Sequence, residues 1–218
     1  MTRDSFHNQL ADLESDVASM GQLAHTMLRD AMQALEAGDM DLAESVASRA
    51  KDLAERDERI ETAALGILML QAPVASDLRR IGAVLKLITY LNRVGRYGFD
   101  IAKVAKELGG RGTTTMGRVS LRQMGRNVER MLDLVLDAYA NRKRLDEKAV
   151  MALEEEVDAQ RSATFREALT YMLEDGRNIE PGAHVMMVAR YLERCGDNIV
   201  KMAEKLHYAT TGERVILN

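Results

Sequence analysis

Tyr90-Leu-Asn-Arg-Val-Gly-Arg-Tyr-Gly-Phe-Asp-Ile-Ala-Lys103 and Tyr191-Leu-Glu-Arg-Cys-Gly-Asp-Asn-Ile-Val-Lys-Met-Ala-Glu204 are two versions of one segment. They stand at a constant separation of 101 positions, as from Tyr90 to Tyr191, and seven of the fourteen positions are identical or close. Leu78, Ile81, Leu85, Ile88, Leu91, Val94, Ile101 and Leu108 recur at spacings of three, four and seven, the signature of a long helix with one apolar face. A duplicated helix of this kind predicts a duplicated bundle.

Working outward, each copy ends a set of three helical segments. The first half reads as helices near residues 5–35, stopped by Gly38-Asp39, then 41–71, stopped by Pro73, then one beginning near Ser76 as its N-cap. The second half reads as helices near 116–141, 146–173 and 181–210. The middle helices align through Asp57-Glu-Arg-Ile-Glu61 and Glu154-Glu-Glu-Val-Asp158 at a separation of 97, and the longer loop from Glu174 to Pro181 absorbs the difference of four. Between the halves lies Leu108-Gly-Gly-Arg-Gly-Thr-Thr-Thr115, whose glycines suit a helix C-cap and whose threonines suit the next N-cap. The expected fold is all-α: two tandem three-helix bundles, six long antiparallel helices in all. The repeats are residues 1–110 and 116–218, with a linker at 111–115.

Composition agrees. Phe, Tyr and Trp make up 4% of the chain and proline occurs twice, whereas helix-forming residues dominate. The single cysteine, Cys195, forms no internal disulfide, so a reducing, cytoplasmic setting is expected. The first residues carry no apolar core of a secretion signal. The longest uncharged apolar stretch, Ala63 to Leu70, falls short of the roughly 18–20 residues that span a bilayer. No membrane insertion is therefore expected, although peripheral association is open. A net charge of -4 with scattered Lys and Arg argues against a nucleic-acid partner.

Gly95 and Gly196 sit inside helices, where glycine costs about 1 kcal/mol relative to alanine. Close helix packing is the expected compensation, with Gly98, Ala102 and Ala203 continuing a small-residue stripe. Cys195 takes the place of Val94 and reads as a small apolar core residue.

Acids recur four apart at Asp57 and Glu61, Glu154 and Asp158, and Glu193 and Asp197, so each pair shares a helix face and could offer two oxygen ligands to a metal. With 34 acids in 218 residues, about five such pairs are expected by chance, so spacing alone decides nothing. Antiparallel helices leaving a short loop bring equidistant positions together. That places the Asp57 turn beside the Asn92 turn, and Glu154 and Asp158 beside Glu193 and Asp197.

Leu192-Glu-Arg-Cys-Gly-Asp-Asn-Ile-Val-Lys-Met-Ala-Glu204, followed by Thr211-Gly-Glu213, resembles the "LERIGDHAxNIAE…TGE" ending of PhoU proteins. Leu70-Gln-Ala-Pro-Val-Ala-Ser-Asp-Leu-Arg79 resembles their "QxPVAxDLR" turn, and Glu55-Arg-Asp-Glu-Arg-Ile-Glu61 their "ERDxxID" helix. The resemblance covers nearly the whole chain. It implies a cytoplasmic, non-enzymatic negative regulator of phosphate uptake and phosphate-starvation signalling. Such a protein acts between a phosphate ABC transporter ATPase and a sensor histidine kinase, commonly as a homodimer. It further implies carboxylate motifs that bind Fe, Zn, Mg or Mn. Carried over by position, the second repeat keeps the metal set as Glu154, Asp158, Glu193 and Asp197. In the first repeat Asn92-Arg-Val-Gly-Arg96 replaces the acidic pair, leaving Asp57, Glu61 and Asp100 as a poorer set. An arginine repels a cation, so Arg96 is expected to pair instead with Asp57, Glu61 or Asp100.

Two other readings compete. A di-iron carboxylate enzyme needs two ExxH motifs, and only Glu204-Lys-Leu-His207 matches, with His207 read as a surface or interface residue. His7, His25 and His184 lack acidic or cysteine partners at ligand spacing, and no nucleophile motif is present. The chain thus reads as a non-enzyme. The second rival is a metal-free helical adaptor or scaffold for another transporter, using methionines such as Met186, Met187 and Met202 as core filler or as an adaptable surface.

Overall fold

The computed structural model describes residues 3–71, 73–109 and 118–217. Among these there is no strand. The helices are α1 (Arg3–Ala37), α2 (Met40–Ser48), α3 (Ala50–Gln71), α4 (Ala75–Glu107), α5 (Arg118–Ala140), α6 (Glu147–Glu174) and α7 (Ile179–Thr211), with a short 3-10 turn at Gly176–Asn178. Three expected segments per half are present, and their bounds fall within a few residues of those read from the sequence. The linker threonines lie outside the described residues, whereas Gly109 takes the left-handed conformation (φ 62°) after α4 as a C-cap glycine should.

Two local expectations need correction. The segment expected as one helix over 41–71 is broken at Arg49, with neither glycine nor proline to announce it. The Arg49 guanidinium reaches back to Asp30 Oδ2 (2.6 Å) and to the Ser45 hydroxyl (3.0 Å). Asp30 is a buried acid of α1. A buried carboxylate needs a charged partner, and the chain supplies one by turning at Arg49. In addition, Ser76 is not the cap of α4: Val74 precedes the helix with no side-chain cap bond, and Pro73 sets the entry.

One continuous core joins both repeats. Leu10, Met20, Leu28, Leu53, Ile81, Leu91, Met124, Met131, Leu192 and Cys195 are all at most 1% exposed. Two contacts join the repeats, α1 with α5 and α4 with α7, and both pairs run antiparallel. The α1–α5 contact is reciprocal. A Cβ at Gly21 would strike Leu136, and one at Gly125 would strike Met32. Gly21 to Gly125 and Met32 to Leu136 are both steps of 104 positions, so a pseudo-two-fold axis exchanges the repeats. Across α4 and α7, Tyr97 stacks on Tyr191 with centroids 5.9 Å apart.

The small-residue stripe is partly as expected. An added Cβ at Gly98 would lie 3.0 Å from the backbone of Leu28 and Met27, so α1 and α4 touch main chain to main chain there. Gly95 is filled by the Leu53 side chain. Gly196 has only ordinary contacts at 3.8 and 3.9 Å, so packing does not demand it. Cys195 is fully buried like Val94, and burial pushes its thiol far above the usual range, as befits a core residue.

Candidate functional site

The acids of the second repeat come from α6 and α7. Leu153 and Val157 bury one face of α6, which leaves Glu154 and Asp158 at its margin toward α7. Leu192, Cys195 and Ile199 do the same for α7, bringing Glu193 and Asp197 to meet them. Burial, and then the neighbouring charges of Asp158, Asp197, Glu155 and Glu193, push the Glu154 carboxyl up from its ordinary value. The Glu193 carboxyl is also raised, by burial and then by Asp197, against the opposing pull of Arg190, Arg161 and Arg194. The four acids expected to meet therefore share one electrostatic neighbourhood, and Glu154 and Asp197 open onto a polar groove completed by Tyr90, Arg93 and Lys201.

Three arginines compete within this neighbourhood. Arg190 Nη1 lies 2.5 Å from Glu193 Oε1, Arg161 Nε 4.0 Å from the same oxygen, and Arg194 Nη1 3.9 Å from Asp197 Oδ2. The other oxygen of Glu193, Oε2, is buried without a hydrogen-bond partner among the described residues, although Arg194 Nε stands 3.9 Å from it as an ion-pair neighbour. A carboxylate oxygen without a hydrogen bond, beside acids whose carboxyls are raised, belongs to a donor set that fits a divalent cation. As the side chains stand, no three His, Cys, Asp or Glu groups among the described residues converge closely enough to hold one. Arg190 stands at i-3 from Glu193, so its interference was legible in the sequence; Arg161, on another helix, was not.

The first repeat also brings its expected turns together, but by another bond than the one expected. Asn92 Nδ2 donates to Asp57 Oδ2 at 2.7 Å. Arg96 is exposed and makes no ion pair within 4 Å among the described residues. It acts on Asp100 only at a distance: burial raises the Asp100 carboxyl, while Lys103 and then Arg96 pull it down. The expected Arg96 salt bridge is thus replaced by an asparagine bond. Asn92 is half-buried where its amide reaches Asp57, whereas Arg96, one turn on, is exposed and has no carboxylate within 4 Å among the described residues. Glu61 is exposed as well.

The lone Glu204–His207 motif does not form a ligand pair. Glu204 is buried and accepts from Lys201 Nζ (2.8 Å) and Leu217 N (3.2 Å), while half-buried His207 meets Glu147 of α6 through Nδ1 at 2.5 Å. His207 is therefore a helix-to-helix contact within the chain rather than a free surface residue. His25 is buried 3.1 Å from Asp133, and His184 lies 3.6 Å from Glu107, partners on other helices that spacing could not reveal. Buried Asn127, which donates to Glu156 at 2.8 Å, belongs to the same class. Met202 is core, Met187 is exposed and Met186 lies between.

The PhoU domain family matches the chain twice, over residues 17–105 and 121–206. A phosphate-specific transport system accessory protein PhoU homolog of Rhizobium meliloti is 34% identical over 95% of this chain and 88% of its own length. The homolog of Clostridium acetobutylicum is 33% identical over the full length of both. The crystal structure of PhoU from Pseudomonas aeruginosa superposes with a TM-score of 0.89 at 31% identity, covering 95% of this chain and 100% of that one. The phosphate transport system regulatory protein PhoU from Streptococcus pneumoniae gives 0.85 at 26%, covering 97% and 100%. With both repeats matched and the six-segment architecture shared, the chain belongs to the PhoU family, whose members are accessory and regulatory proteins rather than enzymes.

Proposed function

We propose that this chain is a regulator of phosphate transport that restrains uptake and the starvation response by binding protein partners. The full-length match to relatives named as phosphate-specific transport accessory proteins carries this reading. On it, the partners are a phosphate ABC transporter ATPase and a sensor histidine kinase, and the chain acts in the cytoplasm as a homodimer, peripheral to the membrane. Two features support a docking role. No helix among the described residues is long and apolar enough to cross a membrane. Met69, Leu70 and Val74 at one hairpin tip, and Leu173 and Ile179 at the other, leave apolar surface in water.

On this reading Glu154, Asp158, Glu193 and Asp197 hold Fe, Zn, Mg or Mn, with Asp57, Glu61 and Asp100 the poorer set of the first repeat. A cation held there would supply positive charge between α6 and α7 in place of the Arg190, Arg161 and Arg194 guanidiniums that face these acids. The raised Glu154 and Glu193 carboxyls and the Glu193 oxygen that lacks a hydrogen bond support this assignment. Deleting the gene tests the regulatory role: uptake and the starvation response should become constitutive in phosphate-replete cells, and an unchanged response would refute it. Elemental analysis of Glu193→Ala and Asp57→Ala tests the metal separately, with loss expected in the first only and equal loss in both counting against it.

A further inference from the structure

The pseudo-two-fold axis relates two clefts at opposite ends of the layer formed by α1, α4, α5 and α7. At one end Leu35, Pro181, His184 and Val188 close the space to about 10 Å³. At the other, the related positions carry Tyr139, Arg80, Ala83 and Leu87, and a cleft of about 190 Å³ stays open. The repeats thus differ by a cavity that one fills and the other keeps.

Three observations give this cleft a chemistry. The Tyr139 hydroxyl is buried with no hydrogen-bond partner among the described residues, an arrangement folded chains avoid. Burial, and then the Glu14 carboxylate, push its ionisation far above the ordinary phenol value, so it keeps its proton and can donate it. Arg142 is the only non-glycine residue with positive φ among those described (φ 51°), and such strain persists where surrounding contacts hold it. Its Nη2 lies 2.8 Å from Glu14 Oε2, while Arg80 grips Glu14 Oε1 through Nη2 (2.6 Å) and Nε (2.9 Å). Two guanidiniums therefore share one carboxylate. Lys143, paired at the surface with Asp137, adds a third cation to the lining, and Arg80 also reaches Asp77 at 3.4 Å. Beneath this rim the floor is apolar, formed by Leu87, Ala138 and Leu206.

We infer that the cleft binds a small oxyanion carried on an apolar body, a carboxylate or a phosphate monoester. Its charged end meets Arg142 and Lys143 and accepts the Tyr139 hydroxyl, and its body lies on Leu87 and Leu206. Few polar groups over an apolar floor is the usual make-up of a small-molecule site. This assignment is independent of the metal groove and of the transport partners.

Ligand-observed NMR titration of the full chain tests it, with benzoate and phenyl phosphate as probes and acetate and inorganic phosphate as head groups alone. Saturable binding of at least one aromatic probe is expected, about tenfold tighter than its bare head group. Arg142→Gly, which keeps the backbone conformation comfortable, should weaken it about tenfold, and Tyr139→Phe severalfold. Tyr139→Phe should melt no lower than the parent, because it removes an unsatisfied group; a lower melting temperature would show the hydroxyl already satisfied and overturn the assignment. So would absence of saturable binding, equal binding of the bare head groups, or titrations unchanged in both variants.

Discussion

Asn92 and Asp57 meet across α4 and α3 through a 2.7 Å hydrogen bond at the place where the second repeat sets carboxylate against carboxylate. An amide donor satisfies Asp57 without a cation, which makes the first repeat self-sufficient where the second is electrostatically unsettled. Asn92→Asp should reverse this. It replaces a donor by a second carboxylate beside Asp57, and a cost of about 1–3 kcal/mol is expected at neutral pH from the lost bond and new repulsion. Thermal melts with and without manganese or zinc check it: the loss should appear without metal and shrink with it. Equal melting temperatures for parent and variant without metal would show that the bond carries no stability.

Gly98 of α4 and Gly196 of α7 should answer oppositely to substitution. Gly98→Ala drives a Cβ to 3.0 Å from the Met27–Leu28 backbone, which cannot rotate away, and should cost about 1–3 kcal/mol. Gly196→Ala meets only Met131 and Val157 at ordinary distances and removes a flexible residue from mid-helix, so it should stabilise by about 0.5–1 kcal/mol. Denaturant unfolding of the two variants tests the pair, and a destabilised Gly196→Ala would contradict the looser packing at that turn.

Asp30 and Arg49 predict a coupling. Arg49→Ala leaves a buried carboxylate with Arg29, itself half exposed, as its remaining ion-pair partner (Nη2 at 3.1 Å), so a loss of about 3 kcal/mol is expected. Asp30→Asn should recover part of that loss in the double variant, because it removes the charge that needed pairing. A double-mutant cycle measures this, and strictly additive losses would show the pair uncoupled.

The parts legible in the sequence are those that repeat or follow a period. The apolar series from Leu78 to Leu108 and its copy around Tyr191 were enough for the helices, and equal distance from a loop was enough to bring Asn92 to Asp57 and Glu154 toward Glu193. The break at Arg49 escaped because its cause, a buried Asp30 on α1, lies 19 positions away and obeys no local rule. The partner of Asp57 is not legible from charge alone: the half-buried Asn92 amide reaches it, while the exposed Arg96 one turn on pairs with no acid within 4 Å among the described residues. The inter-repeat cleft escaped for a similar reason, since Glu14, Arg80 and Arg142 are joined only by the packing of α1, α4 and α5.

The acids of the second repeat make stability depend on pH with a definite sign. Glu154 and Glu193 have carboxyls raised above the ordinary glutamate value of 4.5. A raised acid binds its proton more tightly folded than unfolded, so its contribution is most favourable below the unfolded value and is lost as pH rises through the folded one. The chain should therefore gain stability from this pair as pH falls from neutral through the raised folded values toward the ordinary 4.5. Glu154→Gln should raise stability at pH 7 by up to about 1 kcal/mol, or about 2–4 °C in Tm, and by less at pH 5. A divalent cation held by the four acids would favour the ionised forms and flatten or invert the trend. Melting curves of parent and Glu154→Gln, recorded from pH 5 to 8 with chelator and then with manganese, separate the two regimes. A parent whose stability rose with pH in chelator would show the carboxylates already compensated by Arg161 and Arg190.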